Sequence, residues 1–261
     1  MASDSSSTKT PLTPVNVEPE DLKHAFNFAR TICAEDNQSG IDFGNLSFPR
    51  KMWDRIADCF EGKVAELAFQ QFAKRTWGLD LYVDFEIYEG QHSHDFGDDV
   101  VLLRQNKRIK TASKVDIKAT RPGSQWLLVE AHKFWSHVYL AVRVKLPTDI
   151  ETNPKHMQAL LEKPVACDLI GFAERAAIAD ESGATPVPFF PFRAGERLFA
   201  NRFLDRVRNE HRSNRRYINA CLRNEGPRRI GPQLRAQLNY GLPLIWLSQD
   251  WDRLKREITG E

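Results

Sequence analysis

The sequence lacks the motifs and the long apolar segments that would place it in several common classes of protein. It has no apolar run of about 18 residues or more, the length that a membrane-spanning helix requires, so we expect no membrane partner. It contains no GxxxxGK[ST] loop and no GxGxxG, HExxH or GxSxG motif, which argues against nucleotide-driven motors, zinc proteases and serine hydrolases. The N-terminus lacks the basic start and apolar middle of a secretory signal, and we therefore expect a cytoplasmic location.

Cysteine is scarce and scattered along the chain. The four cysteines, Cys33, Cys59, Cys167 and Cys221, include no CxxC pair, so the sequence predicts neither a zinc knuckle nor a redox centre. We expect them to be reduced and mostly buried thiols, since a free cysteine behaves as a small hydrophobic residue.

Lysine is absent from residues 193–235, although this stretch is strongly basic. It holds twelve arginines and four acidic residues, a local charge of +8 in a chain whose net charge is +2. Arginine binds phosphate through two parallel hydrogen bonds, which favours a nucleic-acid groove over a solvated helix face. An interface with a partner protein is the alternative. The residues predicted to contact nucleic acid are Arg202, Arg206, Arg208, Arg212, Arg215 and Arg216.

The order of apolar patterns predicts the fold class. Two amphipathic helices, over about 18–36 and 51–76, precede several short strands that we expect to pair consecutively as a meander. The class is α/β (α+β), with a central mixed β-sheet flanked by helices. We assign residues 1–17 to a disordered tail, 18–190 to the core, and 191–261 to an Arg-rich, mainly helical C-terminal extension packed on the core.

The stretch SKVDIKAT, residues 113–120, places an acid and a base one residue apart inside a strand. Val115 and Ile117 alternate with Asp116 and Lys118, and successive side chains of a strand point to opposite faces of the sheet. We therefore expect the two apolar side chains to be buried and the two charged side chains to share the other face. An ordinary exposed strand face with a paired lysine would give the same pattern.

Further acids lie upstream of this strand. Asp95, Asp98 and Asp99 precede the apolar run VVLL, where like charges repel unless a cation such as Mg²⁺ lies between them. Glu66 follows Gly62 by four residues on one face of the second helix. Glycine in a helix interior costs about 1 kcal/mol relative to alanine, which suggests that another element approaches closely there. The alternative for Glu66 is a solvated helix position.

The order of helix glutamate, strand aspartate and strand D-x-K resembles the PD-(D/E)xK nuclease superfamily, which has the restriction-endonuclease-like fold. The matching pieces are Glu66 in GKVAEL, Asp99 in DFGDDVV, and Asp116 with Lys118 in VDIKAT. The resemblance covers roughly residues 58–145. The proline that often precedes the first aspartate is absent, so Asp95 and Asp98 remain alternatives to Asp99, which we prefer because it directly abuts the apolar strand.

The resemblance implies a Mg²⁺-dependent endonuclease that hydrolyses phosphodiester bonds. Asp99 and Asp116 would hold one or two Mg²⁺ ions, for which Mn²⁺ would substitute. Glu66 and the backbone carbonyl of Ile117 would complete the set of metal ligands. Lys118 would orient or deprotonate the attacking water and offset charge on the phosphate. The residues implied as catalytic are thus Asp99, Asp116, Lys118 and Glu66.

The resemblance also implies the partners. Nucleic acid, in the first place double-stranded DNA, is the expected substrate, and restriction or defence against phages and plasmids is the expected role. Double-strand cutting by one site per chain suggests a homodimer or a protein partner in a defence system. Two other interpretations keep the fold: a catalytically inactive nucleic-acid-binding or assembly subunit, and a DNA repair or junction-resolving nuclease.

Four histidines and one glutamine have open interpretations. His92 and His94 alternate as zinc ligands would, but also suit a polar turn. His132 and His137 would contact phosphate or pack at the sheet edge. Gln125 lies where polar active-site residues of similar nucleases fall.

Overall fold

The computed structural model describes residues 13–34, 52–86, 99–124, 126–130, 134–147, 154–175, 190–193, 209, 238–244 and 247–261. The strands in these ranges are β1 (Thr13–Val17), β2 (Leu81–Tyr82), β3 (Val101–Arg104), β4 (Lys107–Lys110), β5 (Val115–Thr120), β6 (Trp126–Glu130), β7 (Val138–Val144), β8 (Val165–Glu174), β9 (Phe190–Arg193) and β10 (Leu238–Pro243). The helices are α1 (Pro19–Ala34), α2 (Met52–Trp77), α3 (Pro154–Leu160) and α4 (Trp251–Thr259).

A mixed β-sheet lies at the centre of the fold, with the strand order β1-β8-β7-β5. Strands β5 and β7 run parallel, whereas β8 is antiparallel to both of its neighbours. Helix α1 packs on α2, and α2 packs in turn on one face of the sheet, so the main hydrophobic core lies between these layers. The expected class, a mixed α/β fold with a central mixed sheet flanked by helices, is confirmed.

The strands do not pair as the consecutive meander that the sequence predicted. Strand β6 leaves the central sheet and pairs with β10, which also pairs with β9. Strand β7 is buried on both faces along most of its length, as a central strand in a parallel pair usually is. Residues 121–137 connect β5 to β7, and this connection is long enough for a parallel crossover.

Strands β3 and β4 form a hairpin with a two-residue turn. Within the polar stretch RQNKRIKTAS, only Gln105 and Asn106 make the turn, with φ of 51° and 58°. Two successive residues with positive φ are typical of a type I′ turn, whose twist matches that of the paired strands. The backbone N–H of Asp99 donates to the carbonyl oxygen of Val115 at 3.2 Å, so the start of the hairpin runs beside β5.

The assignment of residues 1–17 to a disordered tail is wrong for its last five residues. Thr13–Val17 is an edge strand, β1, that pairs antiparallel with β8. Val15 and Val17 are buried in the main core, and their alternation with polar residues is the signal that the Pro-rich and Thr-rich surroundings obscured. The rest of the predicted tail lies outside the described residues.

The described part of the C-terminal extension contains strands as well as a helix. It contributes β10 to a sheet that includes β6, a strand of the predicted core. The final helix, α4, is present as expected and packs on the core through Trp251, whose ring centroid lies 5.2 Å from that of Phe72. Most of the arginine-rich stretch between β9 and β10 lies outside the described residues.

Helix α4 also fixes the start of β5. The backbone N–H groups of Ala112 and Ser113 donate to the carbonyl oxygens of Ile258 and Glu257 at 3.0 and 2.9 Å. These carbonyls belong to the last turn of the helix, where no intrahelical partner exists. The hydroxyl of Ser113 donates to the Glu257 carboxylate at 2.6 Å. The residues that lead into SKVDIKAT are therefore held by the end of the chain.

The first two helices form where the sequence predicted them. Helix α2 ends at Gly78, which adopts a left-handed φ of 67°. Of the helices in the described ranges, none has both the length and the hydrophobicity that crossing a membrane requires.

Two glycines give a matched test of this packing. A Cβ at Gly171, whose φ is 151°, would lie 2.6 Å from the carbonyl oxygen of Ser248, whereas a Cβ at Gly62 in α2 would meet no described atom within 4 Å. We expect Gly171→Ala to lower the free energy of unfolding by roughly 1–3 kcal/mol, and Gly62→Ala to raise it by up to about 1 kcal/mol. Urea unfolding followed by circular dichroism measures both changes. Destabilisation by Gly62→Ala would show that another element approaches this glycine, as the sequence suggested.

Candidate active site

The alternation in β5 is the one that the sequence predicted. Val115 and Ile117 are buried in the main core, on the face of the sheet that α2 covers. Asp116 and Lys118 lie on the opposite face, and the Nζ of Lys118 is 2.8 Å from the Oδ2 of Asp116. Their side chains are only 13% and 23% exposed, so this is not the solvated strand pair of the alternative interpretation.

Asp99 is held against β5 by its carboxylate as well as by its backbone. Its Oδ2 accepts a hydrogen bond from the backbone N–H of Ile117 at 2.7 Å. This bond brings the Asp99 carboxylate to the same face of the sheet as the Asp116 carboxylate, close enough for the two to interact. The structure thus brings together three of the residues predicted as catalytic, Asp99, Asp116 and Lys118.

The electrostatics of this cluster show that it is rich in negative charge. Burial, the charge of Asp99 and a hydrogen bond with Asp99 raise the pKa of Asp116 to about 7, although Lys118 acts in the opposite direction. Burial opposes the charged form of Lys118, but Asp116 and Asp99 outweigh it, so the pKa of Lys118 is raised. Lys118 is therefore an ammonium group at neutral pH and only partly neutralises the two carboxylates.

The neighbouring strand β7 shapes the space around these charges. Asp116 is in register with Tyr139, and Lys118 with Ala141. Tyr139 is fully buried, and its hydroxyl oxygen accepts a hydrogen bond from the backbone N–H of Ser136 at 3.1 Å. Burial and the negative charge of Asp116 raise the pKa of the Tyr139 hydroxyl. Buried side chains such as Tyr139 exclude water and lower the local dielectric constant, which strengthens electrostatic interactions inside the site.

Glu130 is an acidic residue of this neighbourhood that the sequence interpretation missed. It is the last residue of β6, is half-buried, and contributes to raising the pKa of Lys118 through its negative charge. The signal was present, because Glu130 ends an apolar strand in the same way that Asp99 begins one. The family resemblance assigns no role to an acid at this position, so Glu130 was not among the predicted site residues.

Glu66 is not brought to this cluster. It lies in α2, where its carboxylate is 2.7 Å from the Nζ of Lys63, and α2 covers the face of the sheet opposite to Asp116. The close approach expected at Gly62 is absent among the described atoms. The role of Glu66 as a metal ligand stays a prediction that this geometry does not favour. Ile117 is in place beside Asp99, but the role of its carbonyl as a ligand also stays a prediction.

Two acidic side chains, Asp99 and Asp116, come close enough to interact on this face of the sheet. Within the described ranges, no group of three or more His, Cys, Asp or Glu side chains is arranged to hold one metal ion. The Asp99 and Asp116 carboxylates supply hard oxygen ligands, which suit Mg²⁺ or Mn²⁺ better than zinc. Mg²⁺ commonly takes one or two protein carboxylates and keeps several waters, so the pair fits such an ion without Glu66.

Several predicted residues lie outside the described part of the chain. His137 is described: it is exposed, and its Nδ1 accepts a hydrogen bond from the backbone N–H of Lys114 at 2.9 Å. The residues outside the described ranges are Asp95, Asp98, His92, His94, Gln125, His132, Arg202, Arg206, Arg208, Arg212, Arg215 and Arg216.

Comparison of the chain with protein-family models, with curated proteins and with solved structures returned no significant match. The function proposed below therefore rests on the geometry and chemistry of the site.

The raised pKa of Asp116 predicts a pH dependence of stability in the absence of metal. Folding favours the protonated form of this carboxyl, so its contribution to stability is present below the ordinary aspartate pKa of about 4 and is lost as the pH rises through about 7. We expect the melting temperature of the metal-free protein to fall between about pH 5 and pH 8.5, and to fall less in Asp116→Asn. Calorimetry in EDTA measures the difference.

The control is Asp80→Asn, which changes an exposed acid at the end of α2 that pairs with Lys74. It should keep the pH dependence of the unchanged protein. Identical pH dependences for Asp116→Asn and the unchanged protein would contradict the electrostatic description of the site.

Proposed function

We propose that this chain is a metal-dependent nuclease with a restriction-endonuclease-like core, which hydrolyses phosphodiester bonds in DNA. The observation that carries the proposal is the cluster on one face of the sheet, in which the Asp99 and Asp116 carboxylates interact and Lys118 lies 2.8 Å from Asp116. Two carboxylates with one buried ammonium group form a site that binds a divalent cation and an anionic substrate together.

The order of the elements supports the core assignment. Asp99 lies two residues before β3, the second strand of the β2-β3-β4 sheet, and the D-x-K residues lie on β5, which follows directly after the β3-β4 hairpin. A helix, α2, precedes these strands, as in the family that the sequence resembles. The strands after β5 add a parallel neighbour, β7, and the antiparallel β8.

The chain's own residues would hold the cation through Asp99 and Asp116. Mg²⁺, or Mn²⁺ in its place, supplies Lewis-acid polarisation of the phosphate and a water that is more easily deprotonated. The bond from the Ile117 N–H fixes one oxygen of Asp99, so that carboxylate does not have to be ordered when the cation binds. A cation held there would favour the charged form of Asp116 and so oppose the burial and the Asp99 charge that raise the pKa of this carboxyl.

Lys118 would act mainly as a positive charge. Its raised pKa keeps it protonated, so it donates hydrogen bonds to the attacking water or a phosphate oxygen rather than accepting a proton. Between the two roles that the family resemblance implies, this geometry favours charge stabilisation. Glu130 would help to hold the charge on Lys118 and would be a positioning residue.

The wider biological setting follows from the same proposal. We propose double-stranded DNA as the substrate, cleaved in restriction or in defence against phages and plasmids. The contact between nucleic acid and the six arginines from Arg202 to Arg216 stays a prediction, as do assembly as a homodimer or with a protein partner and a cytoplasmic location.

A cleavage assay tests the proposal. Supercoiled plasmid and Mg²⁺ or Mn²⁺ should give nicked or linear products with the unchanged protein, and Asp99→Ala, Asp116→Ala and Lys118→Ala should each lower the rate by about 100-fold or more. Lys74→Ala is the control, because it removes an exposed ion-paired lysine on α2. If the unchanged protein cuts DNA and RNA no better than Asp116→Ala, the chain is instead a subunit without nuclease activity.

The role of Glu130 gives a separate prediction. Its negative charge contributes to the raised pKa of Lys118, so Glu130→Gln should lower that pKa. If catalysis needs protonated Lys118, the alkaline limb of the pH-rate profile should move to lower pH in this variant, with little change near neutral pH. An unmoved alkaline limb would remove Glu130 from the positioning of Lys118.

A further inference from the structure

The hairpin beside the candidate site carries charge of one sign. Residues 100–115, which cover β3, β4 and the start of β5, contain five basic side chains and no acid. Strand β4, with the sequence KRIK, is exposed at every position. The basic residues of this segment are Arg104, Lys107, Arg108, Lys110 and Lys114.

The face on which each of these side chains lies follows from the alternation in β3. Asp99, Val101 and Leu103 are half-exposed, whereas the residues between them are buried, so these three share one face of the strand. That face is the one from which the Asp99 carboxylate reaches β5. The candidate site therefore lies just before β3, and the half-exposed side chains of Val101 and Leu103 continue the same face along the strand.

The register of the hairpin adds two basic residues to this surface. Lys110 pairs with Val101 and Arg108 pairs with Leu103, and residues paired across two strands project from the same face. The face of the candidate site thus continues along the hairpin with Lys110 first and Arg108 next. Lys107 pairs with Arg104, and both project from the other face.

The spacing of these charges suits a phosphodiester backbone. A strand rises about 3.3 Å per residue, so Lys110 lies about 7 Å and Arg108 about 13 Å along the hairpin from Asp99. One strand of DNA carries a phosphate about every 3.4 Å of helix axis. With the hairpin along the DNA axis, the two basic side chains would lie about two and four nucleotides from a phosphate held through a cation at Asp99 and Asp116.

The side chain of Arg108 is held in position on this face. Its guanidinium carbon lies 3.9 Å from the centroid of the Tyr82 ring, and the same group is ion-paired with Glu86. Glu86 offsets part of this charge. Lys110 lies nearer to Asp99 along the hairpin than Arg108 does, and it is therefore the position at which a contact with phosphate is tested.

We propose that the site-facing side of the β3-β4 hairpin, through Lys110 and Arg108, binds the backbone of double-stranded DNA on one side of the scissile phosphate. The proposal rests on the proposed function for the position of that phosphate, and it names a substrate contact outside the catalytic cluster. Two features favour DNA over an acidic protein segment. The charge of the hairpin is complementary to phosphate, and its basic side chains continue from the candidate site, where a nuclease would hold the scissile phosphate.

The test compares three charge reversals in a binding assay. Fluorescence anisotropy with a labelled duplex of about 20 base pairs, in EDTA so that metal-dependent cleavage does not occur, gives the Kd over a range of salt concentrations. Lys110→Glu is the test variant, Lys107→Glu changes the other face of the same strand, and Lys163→Glu changes an exposed lysine just before β8, at the opposite end of the sheet. Thermal melts show whether each variant is folded, and Lys110→Gln replaces Lys110→Glu if the latter is not.

We expect Lys110→Glu to raise the Kd about tenfold and to reduce the slope of log K against log salt by about 0.9, the loss of one phosphate contact. Lys107→Glu should have a smaller effect, and Lys163→Glu should stay within about twofold of the unchanged protein. Equal effects of Lys110→Glu and Lys163→Glu, or no binding of the duplex by the unchanged protein, would overturn the inference. Equal effects of Lys110→Glu and Lys107→Glu would overturn the assignment to the site-facing side.

The outcome is separable from that of the nuclease proposal. A protein that binds the duplex through Lys110 but never cleaves it keeps the hairpin contact and loses the nuclease assignment. A protein that cleaves DNA but binds it equally well with Lys110→Glu keeps the nuclease assignment and loses the hairpin contact. If polyglutamate binds as tightly as DNA and depends equally on Lys110, the hairpin is a surface for acidic protein segments and the inference is wrong.

Discussion

The hydrogen bond from the Ile117 N–H to the Asp99 carboxylate, at 2.7 Å, is the contact on which the rest of the candidate site depends. This bond joins Ile117 of β5 to Asp99, which lies just before β3, so it connects the two ends of the β3-β4 hairpin. It also fixes one oxygen of the Asp99 carboxylate. The Asp99 backbone adds its own bond to Val115. With Asp99 held in this way, its charge acts on Asp116, and Asp116 in turn holds Lys118.

The charged cluster lowers the stability of the folded chain, in return for a group of acidic and basic side chains that can take part in chemistry. Two carboxylates share a largely buried face with one ammonium group, and burial together with mutual repulsion raises the pKa of Asp116. A protein that needed only a stable strand would place apolar or neutral side chains here, since buried ion pairs seldom exceed their desolvation cost. The surrounding structure compensates, because α4 closes on residues 112–113 and the main core packs behind Val115 and Ile117.

The sequence was informative where the pattern is local. The period of two in SKVDIKAT predicted the faces of Val115, Asp116, Ile117 and Lys118 correctly, and the period of the helices predicted α1 and α2. Prediction from the sequence failed for strand pairing, which is set by residues far apart in the chain. Nothing local shows that β6 pairs with β10 rather than with β5, its neighbour in the predicted meander. Glu66 lies in α2, which covers the other face of the sheet, and its role as a ligand stays a prediction.

The central claim is that Asp99 and Asp116 bind one divalent cation together, and a crystal structure of the protein grown with Mn²⁺ tests it most directly. Anomalous scattering locates Mn²⁺ independently of the protein atoms. The account predicts an anomalous peak in contact with a carboxylate oxygen of both Asp99 and Asp116. It also predicts that the Lys118 side chain turns away from its ion pair with Asp116. A structure that has Mn²⁺ in the crystallisation medium, no peak at this position and an unchanged Lys118–Asp116 ion pair would contradict it.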